Sequence, residues 1–442
     1  MWWAGPIEES HVRQGRHRGR NVVAALAAAV VAVGCATIAS TLPEPAEATV
    51  PQDCFWTSVF DEQNSNAFYP DTAVSYYLGR VNLPPGAALV LRGRFPHSRY
   101  MSFNAYDEAG RPTDALADNN IRPDRGSTNP FVGGNLRNRP LRSYTVRVVP
   151  GPVPTHRRPN TVYLGSDGRP TFSGSVVYRV YLPDHGRNQF GGTGLPEVSL
   201  RMPDGTEVDQ PAACAAPTNQ PSTGVNDADR RSSGPRTHAL STAGDPLDWE
   251  RFFNIPRSVA RAASEDAAKR TSSEQQGGFF SDQNNAYVYA YTSRQYGHVL
   301  VLTGRMPEVA HTYHRNRVFR DGQLRYWSMC DGTIFPSGVT ETTDCAFDQQ
   351  VATNARGRFR IVVSTPEHRP ANARSRCGVT WLAWGARPDG VVIMRNQLPS
   401  PGFDHAVQDV PRPGAEERVL GPFMPHGRYT STAAFEKRGC GG

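Results

Sequence analysis

Short runs in which apolar and polar residues alternate, separated by Gly, Pro, Asn and Asp, fill most of the chain beyond residue 50 and predict β-strands. In the first half these runs cover Thr72–Leu78, Ala88–Arg92, Tyr100–Tyr106, Tyr144–Val149, Val176–Leu182 and Glu197–Met202. In the second half they cover Ala286–Tyr291, Val299–Thr303, Phe359–Val363, Val379–Trp384 and Val391–Asn396. The period of two puts Tyr287, Tyr289 and Tyr291 on one face. Asp107-Glu-Ala-Gly110, Asp184-His-Gly186 and Pro203-Asp-Gly205 supply turn chemistry between runs. Only one stretch has a helical period. Trp249, Phe252 and Phe253 stand at i, i+3 and i+4, and Pro256 then opens a run through Val259, Ala262, Ala263 and Ala267. The aromatic triplet is expected in a core. Two long stretches, 110–140 and 308–323, carry no strand pattern and read as loops.

The two halves repeat one another. Leu89-Val-Leu-Arg-Gly-Arg-Phe-Pro96 matches Leu300-Val-Leu-Thr-Gly-Arg-Met-Pro307 at six of eight positions, and Arg-Tyr-x-Ser follows each, at Arg99–Ser102 and Arg325–Ser328. Arg187-Asn188-Gln189 likewise matches Arg395-Asn396-Gln397. The expected fold is all-β: two tandem homologous antiparallel β-sandwiches, jelly-roll-like, joined by a linker with one short helix. The expected divisions are a signal segment at 1–48, a first repeat at 49–214, a Pro/Ser-rich linker with the helix at 215–277, and a second repeat at 278–442.

The signal reading rests on a basic region ending at Arg20, an apolar run from Val22 to Ala39 and the small-x-small site Ala46-Glu-Ala48, so the mature chain is expected to begin near Thr49. Lipidation of Cys35 and retention of the run as an anchor are the alternatives, although Ala32 stands where a lipobox carries leucine. The protein is therefore expected to be secreted or associated with the cell envelope. Setting Cys35 aside leaves six cysteines, an even number suited to an oxidising compartment. Position pairs them as Cys54–Cys214, Cys330–Cys345 and Cys377–Cys440; no Cys-x-x-Cys spacing favours zinc. The net charge of +7 is spread without a run of like charge, and arginine nearly replaces lysine, so neither feature signals nucleic acid.

Asn285-Ala-Tyr287, Ser293-Arg-Gln295, Arg325-Tyr-Trp-Ser328, Arg369-Pro-Ala-Asn372 and Trp381-Leu-Ala-Trp384-Gly385 make residues 278–425 resemble a family of uncharacterised secreted proteins found in actinobacteria and some other bacteria. More distantly, the second half is similar to a jelly-roll-like bacterial envelope domain of unknown function. The first repeat departs from that pattern, with Met101 in place of Trp327 and Asn104 in place of Cys330. The resemblance implies a fold and an address, and no activity.

Candidate chemistry is sparse. Arg94 and Arg305, which end the duplicated strand, suit a carboxylate or phosphate ligand, or else a structural ion pair. Arg325, Tyr326, Trp327 and Trp384, with Trp381 nearby, suit a platform for a sugar ring or lipid tail; alternation puts Trp381 and Trp384 on opposite faces, and the linker helix could cover one of them. Asn188 and Asn396 read as turn residues. His311 and His314, with Asp331 or Asp344, form only a weak metal candidate, and Asp118-Asn119-Asn120 lacks the order of a calcium loop. Glu341, Asp344 and Asp348 are the most concentrated acids, expected in a solvated loop held by Cys345. No nucleophile elbow, catalytic cysteine pattern or cofactor signature is present. The expectation is an exported, non-enzymatic protein binding an envelope polysaccharide or lipid; a glycan hydrolase or lyase and an assembly protein are the alternatives.

Overall fold

A computed structural model describes residues 55–440, apart from 65, 67–68, 166–170, 211–241, 279 and 335–339. The signal segment, Cys54, Cys214 and most of the 215–244 linker thus lie outside the described residues. The described residues form one compact unit.

The first repeat contributes β1 (Trp56–Phe60), β2 (Val74–Asn82), β3 (Ala88–Arg94), β4 (Ser98–Tyr106), β5 (Pro112–Ala117), β6 (Ser143–Val149), β7 (Thr161–Tyr163), β8 (Ser173–Pro183), β9 (Glu197–Arg201) and β10 (Glu207–Gln210). The second contributes β11 (Glu250–Arg251), β12 (Asn285–Ser293), β13 (Val299–Arg305), β14 (Leu324–Ile334), β15 (Thr340–Phe347), β16 (Arg358–Ser364), β17 (Thr380–Ala383), β18 (Asp389–Pro399) and β19 (His426–Thr430). One sheet of each repeat runs β1-β2-β8-β4-β5 and β11-β12-β18-β14-β15; the other runs β10-β9-β3-β6-β7 and β17-β16-β13-β19. The strand orders correspond one for one, β10 excepted, so the duplication extends to topology. Pairing is antiparallel except for β6 with β7 and β16 with β17, which are parallel.

Each sandwich encloses its own apolar core. Leu89, Leu91, Val146 and Val148 face Met101, Phe103, Tyr178 and Val180 in the first, and Leu300, Leu302, Ile361 and Val363 face Trp327, Met329, Val392 and Met394 in the second. Ala310 and Phe319, from the loop between β13 and β14, are built into the first repeat's core. That loop zips against the loop before β6, with a bridge between Leu136 and Val318.

Register corrects one reading of the sequence. Tyr76 pairs with Arg179 and Tyr287 with Arg395, so Arg395 is the equivalent of Arg179. Arg187-Asn188-Gln189 lies beyond the end of β8. Asn188 is the turn residue expected, accepting from the Gly192 amide at 2.9 Å. Asn396 is buried in a strand and accepts from Val407 N at 3.1 Å.

The helical segment is two short helices, α1 (Ile255–Ala263) and α2 (Glu265–Lys269), because Ser264 leaves helical geometry and caps the second. Asn254 caps α1 by accepting from Arg257 N. The aromatic triplet precedes the helix on extended chain, with Trp249 and Phe253 in the second core. Two further helices, α3 (Glu416–Leu420) and α4 (Thr432–Glu436), are five residues each, too short to show a period in sequence.

All nine residues of β4 are buried. One face of a sandwich strand normally meets solvent; here both are covered, because the β2-β8-β4 sheet packs its outer face on the β12-β18-β14 sheet. Four layers result, with these two sheets inside. Tyr181 stacks edge-on against Tyr100 at 5.3 Å and against Tyr326 of the other repeat at 5.5 Å.

Candidate functional site

The inner contact absorbs most residues that the sequence marks as binding candidates. Arg325 pairs across it with Asp118 at 2.7 Å, and its equivalent Arg99 pairs back across it with Asp348 at 2.9 Å. Each carboxylate also accepts the main-chain amide two residues beyond the arginine of its own repeat, Met101 N at 3.0 Å and Trp327 N at 3.2 Å. The Arg-Tyr-x-Ser motif is therefore a reciprocal clasp. The second layer of the clasp repeats the pattern. Arg179 lies 4.3 Å from the Tyr76 ring and donates to the Phe280 carbonyl, while Arg395 lies 5.5 Å from the Tyr287 ring and donates to the Tyr69 carbonyl. Tyr69 and Phe280 share a left-handed backbone, with φ of 61° and 49°. Asp71 takes the Ser328 hydroxyl and pairs with Arg395 at 3.3 Å.

Tyr326 is fully buried in this contact and Trp327 lies in the core on Phe359, ring centroids 5.4 Å apart. Trp384 is buried against Tyr429 at 6.3 Å with Arg294 beside it. Neither Trp384 nor Trp381 is covered by the linker helix: Arg369 stacks on Trp381 at 4.4 Å, whereas α1 packs on Tyr289 and Tyr291. Arg325, Tyr326, Trp327 and Trp384 thus form no open platform. The acids correct likewise: Glu341 and Asp344 lie in β15, not in a loop, and Asp348 is buried in the clasp. Asp118, expected in a loop, is buried beside it.

The pairs Cys330–Cys345 and Cys377–Cys440 are bonded as expected; the first joins directly opposed residues of β14 and β15. Cys54–Cys214 lies outside the described residues. His311 and His314 are exposed, and the one cluster of potential metal ligands among the described residues, Asp71 with Cys330 and Cys345, spends both sulfurs in a disulfide.

Arg94 has a different setting from its fellow candidates. It projects from the end of β3, exposed, with Nη2 on the Pro140 carbonyl at 3.0 Å. Three loops converge beside it. The β3–β4 connection brings His97, the chain before β6 brings Arg137 and Arg142, and the chain after β8 brings Asp184 and Arg187. Backbone bonds fix them: Phe95 N to Arg142 O at 2.9 Å, His97 N to Gly191 O at 3.0 Å and Asp184 N to His97 O at 2.9 Å. Asp184 is committed to Arg137. Arg142 is buried, donates to the Arg137 and Pro96 carbonyls, and sets Nη1 against the His97 ring nitrogens at 2.8 and 3.0 Å. Its Nε, also buried, has no partner among the described residues.

Arg94, Arg142 and Arg187 therefore have no carboxylate at ion-pair distance among the described residues. The electrostatics follow from that excess. Burial, then the guanidinium of Arg142 and those of its neighbours, drives His97 down to about 4, so its imidazole is neutral at ordinary pH. Burial and Arg137 lower Arg142 to about 10. A neutral ring among guanidinium forks is a setting that an anion's oxygens complement. The sequence marked Arg94 but not its partners, which come from three loops with no common motif. Arg305, its counterpart, rests over the Phe423 ring at 5.7 Å.

The chain is thus a duplicated β-sandwich protein whose halves are fused by a reciprocal clasp, with a cationic end on the first half. No family model matches the sequence. No curated protein matches it either. Among solved structures it is similar to an uncharacterised protein from Burkholderia cenocepacia, at 13% identity and a TM-score of 0.47, covering 91% of this chain and 87% of that one. It is also similar to a Vibrio parahaemolyticus protein solved as a structural-genomics target, at 10% identity and a TM-score of 0.38, covering 82% and 90%.

Proposed function

We propose that this protein is exported and acts as a non-enzymatic binder of a cell-envelope component, with an acidic polysaccharide as the ligand. The observation that carries this reading is the exposed guanidinium pair of Arg94 and Arg187, with no carboxylate at ion-pair distance among the described residues, beside a neutral His97 backed by the buried Arg142. Guanidinium forks left without carboxylates at a loop-built end suit carboxylate or phosphate oxygens. The two disulfides fit an oxidising compartment, and no helix among the described residues is long and apolar enough to cross a membrane.

The test is an NMR titration of the His97 ring with galacturonate oligomers and, separately, with vesicles containing an anionic phospholipid. Bound carboxylates offset the surrounding positive charge, so the His97 pKa should rise from about 4. An R94Q/R187Q variant should lose that rise. A response to vesicles alone would move the ligand to lipid headgroups, and no response to either would overturn the reading. Export is checked by the mass of the protein recovered from culture medium, which should begin near Thr49.

One observation favours a second reading. Asp331 and Asp344 are opposed on β14 and β15, and burial raises both, Asp331 well above the usual carboxylate range. A protonated acid beside a second carboxyl is what a glycan hydrolase uses. Asp331 is fully buried, so this reading requires the second sandwich to open at that end.

A further inference from the structure

The outer faces of the two outer sheets have diverged in chemistry. On β13 and β16, Val301 and Val362 pair and point away from the sandwich, where they join Val299, Val379 and Phe435 in an apolar cluster covered by α4 and the Cys377–Cys440 chain. The equivalent pair in the first repeat is Val90 with Arg147. Arg147 alternates with the core residues Val146 and Val148, so it points outward and is exposed. Next to Val90, Ala88 pairs with Arg201, also exposed. Arg158 completes a depression of about 440 Å³ whose lining includes Gly86, Thr161 and Pro203. None of these three arginines has a carboxylate at ion-pair distance among the described residues; Glu207 stands opposite Arg201 on β10 but turns to Arg92, between the depression and Arg94, at 2.6 Å.

The depression and the cationic end sit at opposite ends of β3. Ala88 and Arg94 are six residues apart, which is about 20 Å along a strand. We infer that the open outer face of the first repeat is a second anion subsite, and that it forms with the Arg94 end a track for an extended acidic polysaccharide lying along β3. This rests on the proposed function and extends it to ligand length: a polymer with acidic groups at intervals can bridge both subsites, whereas a single acidic sugar occupies one. Two weak subsites joined by one ligand raise affinity through effective concentration.

The test is calorimetry of the full mature chain with a galacturonate disaccharide and octasaccharide, using wild type, R147Q/R201Q and R94Q/R187Q; both variants alter exposed side chains and should melt as wild type does. The octasaccharide should bind at least about tenfold tighter than the disaccharide. R147Q/R201Q should remove that advantage and leave disaccharide binding in place, while R94Q/R187Q should weaken both. Equal affinities for the two lengths, or an octasaccharide affinity indifferent to R147Q/R201Q, would overturn the track and leave the cationic end standing. An octasaccharide affinity that depends on R147Q/R201Q but not on R94Q/R187Q would support the second subsite and overturn the cationic end. Tighter binding of a single-stranded oligonucleotide of equal charge would overturn the polysaccharide assignment.

Discussion

Replacing Arg325 by methionine should produce a pH-dependent loss of stability whose size follows from the clasp. Asp118 is fully buried, and burial outweighs the Arg325 guanidinium and the Met101 amide, so its carboxyl is held at about 6. Its folded value thus lies above the unfolded value of about 3.9. The sign is that of a raised acid: the stability that protonated Asp118 contributes is fully present below pH about 4 and is lost as pH rises to about 6, about 3 kcal/mol in all. Without Arg325 the carboxyl has no cation to face and its pKa moves further up. Between pH 6 and 8 the variant should therefore lose a further ~1.4 kcal/mol per pH unit relative to wild type, up to about 3 kcal/mol at pH 8. Below pH 6 both proteins carry a neutral acid, and the remaining difference, from lost contact with Phe319 at 4.6 Å, should not vary with pH. Urea unfolding followed by tryptophan fluorescence from pH 5 to 8 measures this. The double variant R325M/D118L should abolish the slope and recover most of the loss at pH 8. A difference between R325M and wild type that stays flat from pH 6 to 8, or a double variant with the same slope as the single, would refute the pairing.

Gly332→Ala should destabilise by about 1–3 kcal/mol, since a Cβ there would overlap the Tyr69 hydroxyl and the Glu341 carbonyl; an unchanged thermal midpoint would show that the Tyr69 arm is not seated on β14. Removing Cys377–Cys440, which closes 63 residues, should cost up to about 4 kcal/mol, and removing Cys330–Cys345, which closes 15, up to about 3 kcal/mol, with urea midpoints in that order. Asp331→Asn should raise stability by more at pH 8 than at pH 5, because burial lifts the Asp331 carboxyl and keeping it neutral, or ionising it, in the folded state costs more as pH rises; the same effect at both pH values would show that the acid is solvated.

Strands rich in apolar β-formers were legible in the sequence, even β4 with both faces buried, and so was the duplication, because apolar patterning and identity survive together at Leu89–Pro96 and Leu300–Pro307. Strands β1, β5, β7, β10, β11, β14, β15 and β19 were not among the predicted runs, and for β5, β7 and β15 the physical reason is plain. β7 is three residues long, β5 lies in a stretch crowded with turn formers, and β15 is a run of Thr, Glu and Asp whose polar groups are spent on neighbouring chain. The candidate site was legible only at Arg94. Its partners Arg142 and Arg187 lie 48 and 93 residues further on, in loops whose convergence depends on backbone bonds that no motif encodes.

The residues that looked most like a binding motif turned inward for a reason that duplication supplies. A sandwich with a second copy of itself can bury its remaining sheet face only if both copies accept the same polar groups, and a clasp made twice by equivalent residues satisfies that condition. Arg99 needs Asp348, Arg325 needs Asp118, and one change to the motif leaves a buried carboxylate unpaired on the opposite copy. Such residues must stay alike in both halves. The residues of the proposed second subsite are under no such constraint, and there the copies differ: Arg147 against Val362, and Arg201 against Thr430. Arg94 is itself kept, as Arg305, but its surroundings are not: Arg305 rests over Phe423, whereas Arg94 meets the loops that carry His97 and Arg142. In a duplicated chain, a motif kept in both copies is thus a candidate for contact between them, and surroundings in which the copies disagree are the better place to look for the function.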